Sequence, residues 1–414
     1  MKRDGRKKVI HRCVGCGREH PHDFAAFCDC GHFIDIEYDL AHATIRDSAD
    51  PYIRYFDLLP LEDMKNLLPA EHGVTPCLHA RELGKKLGLQ WLFVKDETVL
   101  PTGTTKDRMA TVVLSYCREV GMRFLSASST GNSSTAMVNR MKDCPEMTLY
   151  VFAAEDFLDR VQVPDHQAGN IVVFALRGAT FVEACDVARQ YSERKGFAPE
   201  RGFFNPARRE GLKTAFLEAA EMLERPIDWY VQAVSSAMGV YGAYKGAREL
   251  AAMGRISRLP RLLCVQQESN RPMVSAFEAG SKVIRPQDIV PRPAGIAAAI
   301  LRGDPSRVYP YVRSIVLESR GTMVSVSEQE IRDARCMVED LEGLSPCFTA
   351  STAVAGLRAL AGKGGVSGDE TVLLNLTGRD RPRVPPPEVH WLKRSASGWE
   401  PEDRNDTRTS ELWN

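Results

Sequence analysis

The sequence predicts an α/β protein built on parallel, twisted sheets flanked by helices, with a small cysteine-rich module in front. Three observations predict it. From residue 91 to about 270, short apolar runs (91–95, 123–128, 147–153, 171–176, 229–234, 261–266) alternate with amphipathic segments (106–119, 131–142, 179–195, 208–224, 239–253, 270–280). Alternation at this spacing argues for βαβ units and a largely parallel sheet. Four of the 11 cysteines fall within residues 13–30. The 414 residues are enough for two or three domains with a large core.

Composition excludes several function classes. The formal net charge is 0, which implies no general attraction to nucleic acid or an anionic membrane. There is no apolar run of 18 residues and no secretory h-region. The reading is a soluble cytoplasmic protein with a disordered basic start, Met1–Lys8. Seven cysteines (Cys77, Cys117, Cys144, Cys185, Cys264, Cys336, Cys347) are scattered singly, a pattern of reduced core thiols.

The first element is the cysteine module. Cys13 and Cys16, then Cys28 and Cys30, form two thiolate pairs, each followed by glycine. Four thiolates complete a tetrahedral zinc site, as in a zinc ribbon. The second pair is Cys-x-Cys where a ribbon has Cys-x-x-Cys, and His32 could replace one ligand. A hairpin that has lost its metal is the alternative. Four protein ligands leave no open position, so such a zinc is structural and would be the main stabiliser of so small a module. Residues 51–90, with a helical segment from His79 to Leu87, lead into the main sheet.

Next comes the stretch Pro101–Met109, between the strand at 91–95 and the helix at 106–119. Pro101 and Gly103 break the chain into a loop, so Lys106 stands where a strand gives way to a helix. That is a common place for ligand chemistry in an open α/β sheet. The positive end of a helix dipole disfavours an ammonium. A lysine there is helped toward the neutral amine that condenses with an aldehyde, which needs its pKa to fall from about 10.4 to roughly 7–8. A solvated loop lysine is the plainer reading of these residues.

Three further helix starts follow, the first and third of them after a strand. Ser126–Ser134 carries hydroxyls, Gly131 and Asn132 at a helix start, an arrangement that cups a carboxylate or phosphate or simply caps the helix. Asn205–Thr214 opens a helix with Arg208 and Arg209; a guanidinium grips phosphate through two parallel hydrogen bonds, and a solvated helix start explains the same residues. Val231–Val240 places Ser235, Ser236, Ala237, Met238 and Gly239 at a helix start, either to cradle phosphate or to let the helix pack closely. Residues 296–302, 326–341 and 348–362 read as helices, and Thr371–Leu376 as a last buried strand. Thr377 and Gly378 end it. Beyond Arg379 the Pro-, Arg- and Asp-rich chain reads as a surface tail.

Taken in order, these motifs resemble those of the threonine synthases and their relatives, fold type II pyridoxal-phosphate enzymes of the tryptophan-synthase-β-like group. The likeness spans Cys13 to Thr377. It implies pyridoxal 5'-phosphate as cofactor and Lys106 as the Schiff-base lysine. It implies that Ser129, Thr130, Gly131 and Ser133 hold the substrate carboxylate, that Thr105 also binds substrate, and that Asn132 meets the cofactor's ring hydroxyl. It further implies that Arg208 holds the substrate's own phosphate, that residues 235–239 hold the cofactor phosphate, and that Thr377 faces the ring nitrogen. The implied organisation is a zinc-ribbon-like module (1–45), a large cofactor domain (46–110 and 200–380), a smaller domain carrying the carboxylate loop (111–199), and a tail (381–414).

The implied substrate is a small phosphorylated amino acid, O-phosphohomoserine plus water giving threonine and phosphate, and the implied assembly is a homodimer. The phosphate cradle departs from the threonine-synthase pattern, having Val234-Ser235-Ser236-Ala237-Met238-Gly239 where those enzymes are rich in glycine and asparagine. Arg54–Pro60, Ala207–Gly211 and Gln232–Ser236 are more similar to cysteate synthase. They imply β-replacement on O-phosphoserine as the alternative. A non-catalytic binding protein on this fold is a third.

Overall fold

The structure, a computed structural model, describes residues 8–164, 169–396, 398–403 and 405–414. It opens with a three-stranded antiparallel sheet of β1 (Val9–Cys13), β2 (Glu19–His20) and β3 (Ile34–Tyr38), with β1 in the middle. Met1–Lys7 lie outside the described residues. Lys8, expected in a disordered start, is buried, and its Nζ donates to the carbonyls of Phe56 and Leu61. The connection to the main sheet contains the short helix α1 (Pro51–Arg54).

The main sheet is built next. It begins with β4 (Cys77–His79), helix α2 (Arg81–Leu87), β5 (Trp91–Asp96) and helix α3 (Lys106–Glu119). The chain then leaves to build a second sheet from β6 (Phe124–Ser128), α4 (Asn132–Arg140), β7 (Thr148–Ala154), β8 (Ile171–Leu176) and α5 (Phe181–Arg194). It returns through α6 (Pro206–Met222), β9 (Trp229–Ala233), α7 (Met238–Ala252), β10 (Arg261–Gln267) and α8 (Pro272–Glu278). The main sheet is finished by α9 (Tyr309–Glu318), β11 (Thr322–Val326), α10 (Glu328–Glu342), α11 (Phe348–Gly362) and β12 (Thr371–Leu376). Its order is β11-β10-β9-β12-β5-β4, parallel except for the edge strand β4. The near-continuous apolar runs of β9 and β12 fit strands covered on both faces. Packed cores lie on either side, around Val240 and Tyr244 on one face and Val354 and Leu357 on the other.

The residues after 380 correct the expected surface tail. β13 (His390–Ser395) pairs in parallel with β8, β14 (Gly398–Pro401) pairs with β13, and α12 (Thr407–Trp413) packs behind them. The second sheet therefore has the order β14-β13-β8-β7-β6. In β13 only alternate residues are buried, which masks the strand behind Lys393 and Arg394. The helix expected at 296–302 is a single 3-10 turn, Ala298–Ile300. Gly295, held at φ 149°, and Gly303 bound this short run on both sides. Helix α9 and strand β11 were not expected. Among the described residues no helix is long and apolar enough to cross a membrane.

Candidate active site

Lys106 is the first residue of α3. The loop before it is sewn to the turn after β12: Thr105 N donates to Thr377 O at 2.9 Å, Arg379 N donates to Gly103 O at 2.9 Å, and Thr104 bridges Gly378. Gly378 allows this approach, since a Cβ there would lie 2.8 Å from Gly103 O. Lys106 and Thr377 are thus fixed relative to each other by backbone. Lys106 is half-buried and its remaining exposure is to a cavity of about 350 Å³. Burial, and then the charge of Arg208, lower its pKa from 10.5 to about 8.

The residues after Lys106 anchor the helix. Arg108 donates to Glu97 at 2.6 Å, to Glu218 of α6 at 2.6 Å and to Thr75 at 2.8 Å. Lys95 donates to the same Glu218 at 2.6 Å. Asp107 accepts from Thr102 N and Oγ1, both at 2.8 Å. Arg108, Glu97, Glu218 and Lys95 therefore form a buried ion network that ties β5, α3 and α6 together. Gly211 lets α6 press on α3, because a Cβ there would meet Arg108 O at 2.5 Å.

Ser129, Thr130, Asn132 and Ser133 line the same cavity from the start of α4. The Ser129 hydroxyl oxygen accepts from Gly131 N and Ser134 N, both at 3.0 Å, which closes the loop on itself. Gly131 does not line the cavity; it has φ 112°, and a Cβ there would strike Arg160 Cβ at 2.5 Å. Its place in the loop is conformational. Asn132 Oδ1 accepts from Arg381 at 2.6 Å.

Arg208 is buried, 3 % exposed, at the start of α6. Its Nε donates to Glu200, its Nη1 donates to Ser133 Oγ at 3.3 Å, and its buried Nη2 has no partner. The start of α7 lines the same cavity. Ser235, Ser236, Ala237, Met238 and Gly239 all line the cavity, no side chain caps the helix, and Ala237 takes the left-handed conformation at φ 57°. A helix start leaves its first amides without intrahelical partners. Gly239 is needed for contact: a Cβ would lie 2.5 Å from Gln232 Nε2. Thr105 and Thr377 complete this set.

The sequence reading missed several lining residues. Arg302, Asp304 and Arg307 come from the loop before α9, and Phe27 comes from the cysteine module. Nothing in their local sequence marks them, since each reaches the cavity only through tertiary packing.

In the module itself the Sγ atoms of Cys13, Cys16, Cys28 and Cys30 all lie within 4.8 Å of one another. Cys13 to Cys30 is 3.3 Å and Cys16 to Cys28 is 3.7 Å. Tetrahedral zinc with Zn–S near 2.3 Å sets sulfurs about 3.8 Å apart, so the four thiols fit that ion. His32 is not one of the four; its Nδ1 stands 3.7 Å from Cys30 Sγ.

The family model described as pyridoxal-phosphate dependent enzyme matches residues 68–378. The chain is 32 % identical to the threonine synthase of Methanosarcina acetivorans over 89 % of its own length and 90 % of that protein's. It is 31 % identical to the cysteate synthase of Methanoculleus marisnigri, covering 90 % of this chain and 89 % of the other. Among solved structures it is similar to threonine deaminase isoform 2 from Solanum lycopersicum, with TM-score 0.62 and 16 % identity over 82 % of this chain and 92 % of that one. At that identity the likeness speaks for the fold alone.

Proposed function

The chain belongs to the pyridoxal-phosphate-dependent enzyme family and is a lyase of that kind, and from this premise we propose that it eliminates phosphate from an O-phosphorylated amino acid. The preferred donor is O-phosphohomoserine, with water as the second reactant and threonine as the product. The cavity suits the cofactor: a lysine amine of lowered pKa, an uncapped helix start at Ser235–Gly239, and a hydroxyl at Thr377 all face one space. When bound, pyridoxal phosphate supplies an aldehyde that captures amines and a ring that spreads charge from the α-carbon.

The chain's own residues do the rest. The α7 amides and the Ser235 and Ser236 hydroxyls hold the cofactor phosphate. Asn132 donates to the ring hydroxyl, and the Thr377 hydroxyl meets the ring nitrogen without charging it. Ser129, Thr130, Ser133 and Thr105 orient the substrate carboxylate. Lys106 Nζ, neutral in part near pH 8, takes the proton from the substrate's α-carbon. Arg208 holds the leaving phosphate.

The observation that carries this reading is the Arg208 guanidinium, buried at the cavity with one nitrogen unpartnered. A buried charged donor left open is costly unless an anion completes it. A second reading is β-replacement on O-phosphoserine, as the cysteate-synthase likeness and the Gln232–Ser236 stretch favour. Phosphate release separates the two. Holoenzyme is given O-phosphohomoserine or O-phosphoserine, each with and without sulfite. Release from O-phosphohomoserine in water is expected. Release only from O-phosphoserine with sulfite selects the second reading, and release from neither donor overturns both.

A further inference from the structure

Phe27 stands next to Cys28 in the sequence and lines the cavity that Lys106 and Arg208 also line. It is held from two sides. Its backbone bridges Phe33, and Phe33 is fully buried against Tyr311 at 4.7 Å and Phe203 at 5.8 Å. Its other neighbour is the thiolate cluster itself. The Phe27 ring packs on Phe204 at 4.8 Å. The Arg307 guanidinium stands 4.8 Å from the Phe27 ring centre and 5.1 Å from that of Phe204. Arg307 lines the cavity and, among the described residues, forms no ion pair.

We infer that the four-cysteine module is one wall of the substrate site, in which Phe27 positions the Arg307 guanidinium to receive the anionic far end of the substrate. The inference rests on the O-phosphorylated substrate proposed above. A phosphate dianion offers three oxygens, more than the open nitrogen of Arg208 satisfies. An exposed arginine explores many rotamers, and ordering it on binding weakens affinity. Two aromatic faces that already attract the cation reduce that loss. Metal bound at the module's sulfurs fixes the turn bearing Phe27, so the state of the module is felt as substrate affinity and not as cofactor attachment.

The test uses the metal-loaded holoenzyme. Phe27→Ala should raise KM for the phosphorylated donor about tenfold with kcat within about twofold. Bound metal and the cofactor's visible absorbance should not change. Arg307→Ala should give the same rise, and the double variant no more than either single one, because both remove one interaction. Phe27→Tyr, which keeps the ring face, should restore KM. Inorganic phosphate titrated by calorimetry should show the same ordering of affinities without turnover.

Unchanged KM and phosphate affinity in Arg307→Ala would sink the inference, as would effects that multiply in the double variant. Arg307 is exposed and outside the module, so this arm decides the matter even if Phe27→Ala loses its metal. If wild-type enzyme releases phosphate from neither donor, the substrate reading fails. The calorimetric arm then still judges the wall.

Discussion

The Arg381 guanidinium donates a 2.6 Å hydrogen bond to Asn132 Oδ1. A guanidinium has no acceptor, so the bond fixes the amide: Oδ1 is turned to Arg381 and the Nδ2 donors are left for the cavity that Asn132 lines. Burial lowers the Arg381 pKa to about 10, which leaves it charged at neutral pH. Arg381→Met should let the amide turn over and weaken cofactor binding about tenfold. Cofactor titration followed by visible absorbance measures this, and Arg381→Lys should recover part of the loss. Equal affinity in Arg381→Met would show that the amide is held by something else.

Lys106 and Arg208 are linked through charge. Burial first, then Arg208, hold Lys106 at about 8. A like charge disfavours the ammonium form, so removing it raises the pKa. In Arg208→Met the pH midpoint for cofactor attachment should move upward by roughly one unit. Phosphate release should fall far more than attachment does. Lys106→Ala should abolish the visible band while the far-ultraviolet circular dichroism stays that of the folded chain.

The network around Arg108 makes a stability prediction with a definite sign. Burial pushes the Glu97 carboxyl up, but the charge and hydrogen bonds of Arg108 outweigh it and hold the pKa at about 2. A depressed carboxyl stabilises the fold fully above its unfolded pKa of about 4.5, and that share is lost as pH falls from there toward 2. Arg108→Met leaves Glu97 and Glu218 buried beside only Lys95. It should cost about 3–5 kcal/mol at pH 7 in urea unfolding. With the arginine gone, burial dominates and the carboxyl pKa lies above its unfolded value. The gap between variant and wild type should therefore narrow as pH drops from 7 toward 4.

The cysteine module should hold one metal ion per chain, read by elemental analysis. Asp35 in β3 accepts from Arg209 of α6 at 2.8 Å, and Arg209 also lies over the Phe33 ring at 4.6 Å. Chelation that loosens the module leaves the buried Arg209 cation without its carboxylate. The thermal midpoint should fall by several degrees on metal removal and return when zinc is restored. A chain that binds no metal, or whose midpoint ignores chelation, would contradict this.

Much of the site is legible in the sequence because its chemistry sits at helix starts. Lys106, Asn132, Arg208 and Ser235 each start or precede a helix, so a local pattern of small, hydroxylic and charged residues marks them. Phe27, Arg302 and Arg307 are invisible to that logic: they meet the cavity from distant segments and look like ordinary loop residues. Arg108 reads as one charge among several, yet it is fully buried among Glu97, Glu218 and Lys95. Helix α9 carries Pro310 in its first turn, where proline fits a helix start but reads as a loop.

The C-terminal segment was the element most misleading in sequence, and it supports the last prediction. Trp413 is 6 % exposed, stacks on Tyr191 at 5.6 Å and donates from Nε1 to Trp399 O at 3.1 Å. Tyr191 of α5 and Phe174 of β8 share one apolar cluster with Trp413, so α12 completes the cover of that side of the second sheet. Trp413→Ala should destabilise that sheet by about 3–5 kcal/mol, the usual cost of emptying a large buried aromatic site. The start of α3 is held by Thr105 N on Thr377 O after β12 and by Arg108 on Glu218 of α6, and neither Thr377 nor Glu218 touches α12 in the described contacts. Unfolding in urea should thus separate into two steps. The second sheet's tryptophan fluorescence should change first and the cofactor's visible band later. A single coincident transition at the wild-type midpoint would mean that the terminal helix adds nothing, and the segment would be a surface appendage after all.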